Sequence, residues 1–459
     1  MSQPMDRSWY AVPVAVVVAA AVALGAPVPP DAATMLAITA FSIVLWIGNP
    51  LPAWFVGLLT IGSVGVAFSP SLAFTGFQSP ATWLIGFGLI VGEATRQSGL
   101  GAFFEARLLS WISADEGHDT VDLYRRLLVG LSLAGLAFTL LLPSALVRVL
   151  VLAPILADIG TLFDSRRARV GLFVGPLFVT WHAAGGVLTA ALPNIITTGI
   201  LESVAGQTIS WSAWLLAMFP VTSLARAALI VTVVYVLYRP APDSGIDPPT
   251  GDDRAATGTE RRMLLLLFVG VAVWATDFLH GLHPVFGALL VAGLAIAPRI
   301  GVMEFESVAD VDFSLLFFVG SVFAIASGLQ QTGFTDTAAG SLLALLPSDL
   351  PLWLAMLAVF AVTSLLMVLI EAVALASVIT PVVISYAEQA SLPVVPVILA
   401  EALALDTSYF FPYQSMVLVT ILGFDVIDAN ELVRTMSVVA ILSIVLLLLP
   451  QVLLLLLLY

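Results

Sequence analysis

The sequence predicts an all-α polytopic membrane protein of about eleven transmembrane helices plus two re-entrant hairpins, arranged as an inverted-topology repeat. Three observations carry that expectation. First, 60% of the residues are hydrophobic and 10% charged, with a mean hydropathy of +1.08, which leaves too little polar surface to cover a soluble globule. Second, apolar runs of about 17 to 25 residues, each able to cross a hydrocarbon core of about 30 Å, follow one another from end to end. Third, the two halves repeat each other in residues as well as in hydropathy.

Composition also excludes function classes. The formal net charge is −14 and every basic residue is an arginine; the acids crowd into loops such as Asp115 to Asp122 and Asp243 to Glu260. No basic patch exists to neutralise phosphates, so no nucleic-acid partner is expected. The absence of cysteine removes disulfides, thiolate metal sites and cysteine nucleophiles. Neither an H-E-x-x-H helix nor a G-x-S-x-G elbow is present, and the chain is not read as an enzyme.

Residues 1–32 form an N-terminal unit. Residues 11–26 have the length of a signal-peptide core, but Arg7 is its only basic flank and Pro27-Val28-Pro29-Pro30 closes it, so it is read as the first spanning helix. Residues 33–239 form the first repeat. Helices at about 10–27, 33–48 and 51–69 are separated by proline turns, where helices end for lack of a donor, and a fourth runs from Pro80 to Trp111. Arg125 and Arg126 precede the apolar run 127–142, while Arg166, Arg167 and Arg169 follow the run 149–159. Both flanks therefore read as cytoplasmic. The second run, about eleven residues at 1.5 Å each, reaches only about half a bilayer. Segment 127–162 is thus predicted to enter and return, opening inward, with Pro143-Ser144-Ala145-Leu146-Val147-Arg148 at its tip. A helix at 170–186 follows, then a break from Gly185-Gly186 to Leu192-Pro193-Asn194, a half-helix to about Val204, and a span at 211–238.

Residues 240–262, polar and proline-rich, form a cytoplasmic linker, and residues 263–459 the second repeat. Spans at 263–280, 284–299 and 313–331 lead to a segment at 349–389 whose flanks, Ser348-Asp349 and Glu388-Gln389, carry no arginine. It reads as a hairpin opening outward, with Ile370-Glu371-Ala372-Val373 at its tip. A helix from about 394 breaks at Phe411-Pro412-Tyr413-Gln414, near the middle of the segment 394–424, and the last span covers 435–458. Arginine placement puts the N-terminus in the cytoplasm and the C-terminus outside. The repeat shows in residues: Gly86 and Gln97-Ser98-Gly99-Leu100 recur as Gly320 and Gln331-Thr332-Gly333-Phe334. Ser144 stands ten residues before Pro154, as Glu371 does before Pro381. Pro193-Asn194 answers Pro412-Tyr413-Gln414.

Arginine and glutamate at membrane depth each cost several kcal/mol unless paired or wet, which marks Arg148 and Glu371 as candidate functional groups. The Arg148 fork suits carboxylate or sulfate in a bidentate way; a structural ion pair is the alternative. Half-helix N-termini near Ser144 and Asn194 would add partial positive charge. Glu371 could pair with Arg148, load a proton or bind a cation. His182, just before the glycine break, either packs against a helix or faces the pocket as an anion or proton group. Tyr413 and Gln414 sit on an unwound turn and are read as lining the site. Asp406 is a second proton candidate, and Glu401 on the same helix shares its alternatives, a coupling role or a plain bundle contact; Glu93, Asp158 and Arg226 are read as scaffold or interface residues.

On these residues, with Ser79-Pro80-Ala81-Thr82-Trp83 and Gly99-Leu100, the chain resembles the divalent-anion:sodium symporter family of the ion-transporter superfamily, from Trp46 to the last helix. The resemblance implies a secondary active transporter of a small divalent anion, a dicarboxylate or sulfate, in the cell membrane. It implies an elevator-like movement of hairpins and broken helices against a scaffold of long helices, a homodimer, lipid as surroundings and no cofactor besides a coupling ion. In that family each tip carries Ser-Asn-Thr and each broken helix a Thr-Pro-Pro-Asn-like turn, which hold the anion and two sodium ions. Here the tips read Ser144-Ala145-Leu146 and Glu371-Ala372-Val373, and the turns keep only the amides Asn194 and Gln414. The positions so implied for substrate are these six tip residues with Pro193, Asn194, Pro412, Tyr413, Gln414 and Ser415. Those implied for sodium are Ser144, Gly186 and Glu371. The coupling ion stays open between H+ and Na+, and a sodium symporter using backbone ligands, an exchanger and an anion channel remain alternatives.

Overall fold

Proline and glycine punctuation sets many of the helix boundaries in the computed structural model, which describes residues 7–113, 119–246, 254–345 and 350–459. Residues 115–118 of the first acidic loop, 247–253 of the linker and Ser348-Asp349 lie outside the described residues. α1 (Ala11–Gly25) packs on α2 (Pro30–Gly48), whose first turn accepts Pro30 because that N–H is unpaired in any helix. α3 (Ala53–Ala67) is joined to α2 by a 2.6 Å hydrogen bond between the buried hydroxyls of Ser42 and Thr60. Two single turns, α4 (Pro70–Ala73) and α5 (Thr75–Gln78), lead to α6 (Pro80–Gln97) and α7 (Leu100–Ser113).

The single helix expected from Pro80 to Trp111 is divided. Gly99 adopts φ +76, the left-handed conformation that ends a helix, and Gly333 does the same at φ +73 between α17 (Leu315–Gln331) and α18 (Phe334–Leu345), which meet at 71°. The repeated Gln-Ser-Gly-Leu and Gln-Thr-Gly-Phe motifs are therefore stop signals at equivalent corners of the two halves.

α8 (Thr120–Leu141) and α9 (Ala145–Gly160) form the first hairpin and both pack against α10 (Arg166–His182). α8 begins seven residues before the expected 127, because Asp122 pairs with Arg125 and Arg126 at i+3 and i+4 and carries the helix upstream. At 22 residues it is long enough to cross a bilayer, whereas α9 has 16. Two 3-10 turns, Ala183–Gly186 and Leu188–Ala190, separate α10 from α11 (Leu192–Ala205). The span 211–238 consists of α12 (Trp211–Met218), a π-helical segment Phe219–Ala225 and α13 (Arg226–Tyr238); Pro220 lies within the widened turn, where its missing N–H is accommodated.

The second half runs α14 (Gly258–Ala275), α15 (Asp277–His280), α16 (Pro284–Ile296), α17, α18, α19 (Leu352–Met367), α20 (Ala372–Gln389), α21 (Val394–Thr407), α22 (Met416–Leu422) and α23 (Ala429–Leu458). No strand occurs among the described residues beyond one isolated bridge, Phe163 to Ile246. Among the described residues, six helical stretches are individually long and apolar enough to span a membrane, and α17 with α18 makes a seventh if the bent pair counts as one. α10, α20 and α21 are buried almost all round, and they carry the candidate site.

The linker braces the base of the first hairpin. Gly245 accepts from the Asp164 N–H at 3.2 Å, and Ser244 accepts from the Thr120 hydroxyl at 2.8 Å. Across the halves, Arg166 at the start of α10 lies 3.0 Å from both Asp428 and Glu431 at the start of α23.

Candidate substrate site

The first hairpin tip is held by one buried cation. Ser144 caps α9, its hydroxyl accepting from the Val147 N–H at 3.4 Å, and Ala145 and Leu146 form the first turn. One turn on, Arg148 is fully buried. Its guanidinium donates to the Leu142 carbonyl at the end of α8, to Thr180 Oγ1 and Thr180 O on α10 (both 3.1 Å), and to Ala190 O in the unwound loop (3.0 Å). Four oxygens from three segments thus surround a positive charge, and no ion pair among the described residues joins it to a carboxylate. Arg148 and Glu371 are not paired.

The loop itself is folded around Asn194. Pro193 occupies the first turn of α11, and the buried Asn194 amide donates to Ala184 O (3.1 Å), Gly185 O (3.4 Å) and Val187 O (3.1 Å), adding a second donor to carbonyls of the unwound loop that also accept from Val187 N, Trp214 Nε1 and Ala190 N. Its Oδ1 is buried without a partner. Gly185 and Gly186 are required by close approach: a Cβ would lie 2.8 Å from Asp406 Oδ2 in the first case and 2.0 Å from Ser223 Oγ in the second.

In the second half the roles are exchanged. Glu371 caps α20, its Oε2 accepting from the N–H groups of Val373 (2.9 Å) and Ala374 (3.0 Å), while Ala372 and Val373 are buried. The loop reaches the tip instead: the Tyr413 hydroxyl donates to Val368 O, and the buried Gln414 amide donates to Met367 O and to Ser408 O at 2.9 Å. Gln414 Oε1 accepts from Phe410 N and Phe411 N at 2.6 and 2.7 Å, making it the counterpart of Asn194 across its own loop. Pro412 opens this turn and Ser415 caps α22.

Between the two loops stands a group the sequence suggested only as scaffold. Arg226, 1% exposed, donates to His182 O (3.4 Å) and Asp406 O (3.2 Å) and to Thr407 Oγ1. It therefore bridges the C-terminal ends of α10 and α21, where unpaired carbonyls and the negative ends of the helix dipoles favour a cation. His182 packs its ring on Trp181, Phe178 and Tyr409, with centroids at 4.4, 5.7 and 6.1 Å, and its Nε2 has no partner. Asp406 Oδ2 is likewise buried without a partner.

The structure thus brings Ser144, Arg148, Gly186, Pro193 and Asn194 together in one hairpin-loop unit and Glu371, Pro412, Tyr413, Gln414 and Ser415 in another. His182 and Asp406 lie at the seam. Sequence reasoning missed Thr180, which supplies two of the oxygens around Arg148, and the bridging role of Arg226. An arginine in the middle of the apolar run 211–238 is a signal that could have found the latter.

The fold and this pair of tip-and-loop units define a polytopic membrane carrier with unwound helices inside the protein. The chain belongs to the family described as the sodium:sulfate symporter transmembrane region, which matches residues 6–458. It is similar to a protein of Cupriavidus necator described as a membrane protein, 25% identical over 332 residues that cover 65% of this chain and 62% of that protein. It is also similar to the L-tartrate/succinate antiporter of Escherichia coli K12, 26% identical over 375 residues that cover 72% of this chain and 74% of the antiporter. Among solved structures, the Alcanivorax borkumensis YdaH transporter, described as having an unusual topology, shares the fold with a TM-score of 0.57 at 16% identity, over 93% of this chain and 97% of that one.

Proposed function

We propose that the protein is a sodium-independent secondary transporter that exchanges small divalent anions, dicarboxylate or sulfate, across the cell membrane. Its two tip-and-loop units would move together in an elevator-like cycle. The observation that carries this reading is Arg148: a buried guanidinium wrapped in neutral oxygens, whose charge no carboxylate among the described residues balances. Burial of an unpaired charge is expensive, and an anionic substrate seated beside the first tip would supply the missing countercharge. A fixed cation at that place also makes a travelling one unnecessary there, in keeping with the loss of the Ser-Asn-Thr residues. The antiporter relatives support exchange and the dicarboxylate class.

Flux into proteoliposomes tests it. Labelled succinate and sulfate should enter faster when unlabelled anion is loaded inside, and at an unchanged rate when choline replaces sodium. Uptake that requires an inward sodium gradient, or single-channel currents, would overturn the reading. Proton coupling is a second reading, favoured by Asp406 Oδ2 and Glu401 Oε2, two buried carboxylate oxygens without hydrogen-bond partners. Uptake that accumulates against its gradient when only pH differs across the vesicle would select it.

A further inference from the structure

Three buried side chains at the seam between the halves each have an atom to spare. Arg226 of α13 donates from Nη1 to the Asp406 carbonyl at 3.2 Å and from Nη2 to Thr407 Oγ1, yet its Nε–H has no partner. Asp406, near the end of α21, has Oδ2 buried without a partner, and His182 of α10 leaves Nε2 in the same state. Among the described residues no ion pair joins Asp406 to Arg226. The carboxylate lies instead against the unwound loop, where a Cβ on Gly185 would stand 2.8 Å from Oδ2. Because the guanidinium is already held on the carbonyl of the same residue, rotation of the Asp406 side chain carries its carboxylate from the loop toward Nε.

We propose that Asp406 is the proton-coupling residue of this carrier: neutral, it rests on Gly185; ionised, its carboxylate turns onto the Arg226 Nε–H and draws the end of α21 off the loop. The inference rests on the proton-coupled reading above and names the group and the movement that reading needs. The step balances: the carboxyl O–H breaks, its proton passes to water, and the freed oxygen accepts from Nε–H. A bare carboxylate near a buried guanidinium is costly unless the two meet, so the separated arrangement is that of the neutral acid. The same loop carries the change onward, since Ala190, five residues beyond Gly185, gives its carbonyl to Arg148. The titratable groups around Asp406 are Arg226 from α13, His182 from α10, Tyr409 just after α21 and Glu371 at the second tip; the charges of Asp406, Arg226 and Glu371 all act on the Tyr409 hydroxyl. Glu202 of α11 and Tyr386 and Glu388 of α20 stand at the far ends of their helices, and α19, the Ala183–Gly186 turn and α23 from Thr435 onward bring none. Glu401 of the same helix accepts instead from Thr380 Oγ1 at 2.5 Å.

Infrared pH-difference spectra of the full chain in liposomes test the proton, and flux tests the coupling. The wild type should show a protonated-carboxyl band that vanishes as pH rises through neutrality, shifts when aspartate is isotope-labelled, persists in Glu401→Gln and is lost in Asp406→Asn. A band that follows labelled glutamate alone, or survives in Asp406→Asn, overturns the assignment; the labelling uses the wild type and decides the matter even where the variant fails to fold. With the membrane potential clamped, an inward pH gradient of one unit should drive the wild type to accumulate succinate about tenfold. Asp406→Asn should lose that accumulation while counterflow persists at a reduced rate. Equal accumulation in the variant, or none in a wild type that exchanges anions, overturns the coupling. A wild type that moves no anion under any gradient refutes the carrier reading instead, and the aspartate band still decides the proton site.

Discussion

Replacing Arg148 by Gln separates the electrostatic role of the buried guanidinium from its structural one. The substitution removes a unit charge where no described carboxylate compensates it. It also leaves Leu142 O and Ala190 O without the donor they have, at about 1–3 kcal/mol each; relief from burying a charge offsets part of this. Thr180 O keeps a 3.2 Å bond from Thr139 Oγ1. The net stability change is therefore a small difference between opposed terms, and stability is the wrong readout. Charge dependence is the right one. At a separation of about 7 Å and an effective dielectric of about 20, a unit charge attracts a dianion by roughly 5 kcal/mol and a monoanion by about half that. Arg148→Gln should then raise KM on the order of a thousand-fold for succinate and only some tens of fold for its monomethyl ester. Counterflow of both substrates into proteoliposomes holding correctly folded variant measures the two ratios. Equal losses for the two anions, or unaltered succinate uptake, would refute the assignment of Arg148 as the anion-attracting charge.

Three further outcomes follow from the geometry. Gly186→Ala drives a Cβ to 2.0 Å from Ser223 Oγ and 2.9 Å from the Phe219 Cα; it should cost about 3 kcal/mol, the upper end for overpacking. Adding Ser223→Ala should restore only part, as read from thermal unfolding in detergent, and a lone Gly186→Ala as stable as wild type would contradict the packing. Asn194→Ala removes the side-chain bonds to the Ala184, Gly185 and Val187 carbonyls, each of which keeps one other donor, Val187 N, Trp214 Nε1 and Ala190 N respectively, and should lower stability by about 1–3 kcal/mol; an unshifted thermal midpoint would show that the amide does not hold the loop. Glu260, bonded to Arg254 and to the Thr257 N–H, is held down to about 2 in pKa, chiefly by the Arg254 guanidinium. A depressed carboxylate stabilises above its unfolded pKa of 4.5 and loses that contribution as pH falls through about 2. Hydrogen exchange of the 254–262 segment should therefore be faster in Glu260→Gln than in wild type at neutral pH, with the gap closing between pH 4.5 and 2; a gap independent of pH would sink this.

The fold was legible wherever a local signal decides it. Proline turns before α2, α3 and α6, the break after His182 and the turn at Pro412 are all written in residues that cannot continue a helix. The corner at Ser98-Gly99 was visible as a repeat but not as a stop, because helix-ending by a left-handed glycine depends on a conformation that spacing alone does not reveal. The early start of α8 was hidden for a related reason: Asp122, Arg125 and Arg126 look like a charged flank, yet their i+3 and i+4 spacing lets them lengthen the helix. Sequence singled out Arg148, Asn194 and Gln414, each conspicuous as a polar group in an apolar run, and the structure gives each several buried hydrogen-bond partners. It could not give their acceptors, since Thr180 and Ala190 lie 32 and 42 residues beyond Arg148. Arg226 was visible as an intramembrane charge, but its place between α10 and α21 is a property of packing.

The two halves build the same joint with opposite chemistry. In the first, the hairpin donates: the Arg148 side chain reaches across to Thr180 and Ala190. In the second, the loop donates: Tyr413 and Gln414 reach back to Val368 and Met367, leaving Glu371 to cap its own helix. Either direction closes a tip on a loop, so the repeat keeps its shape while its charges diverge. The cation ends up enclosed by neutral oxygens, and the carboxylate has spent Oε2 on two backbone N–H groups. If the anion binds beside the first tip, as proposed, it would meet an unbalanced positive charge there and a capped helix in the second half, so the charge of the first tip is the one whose removal should change what this carrier accepts.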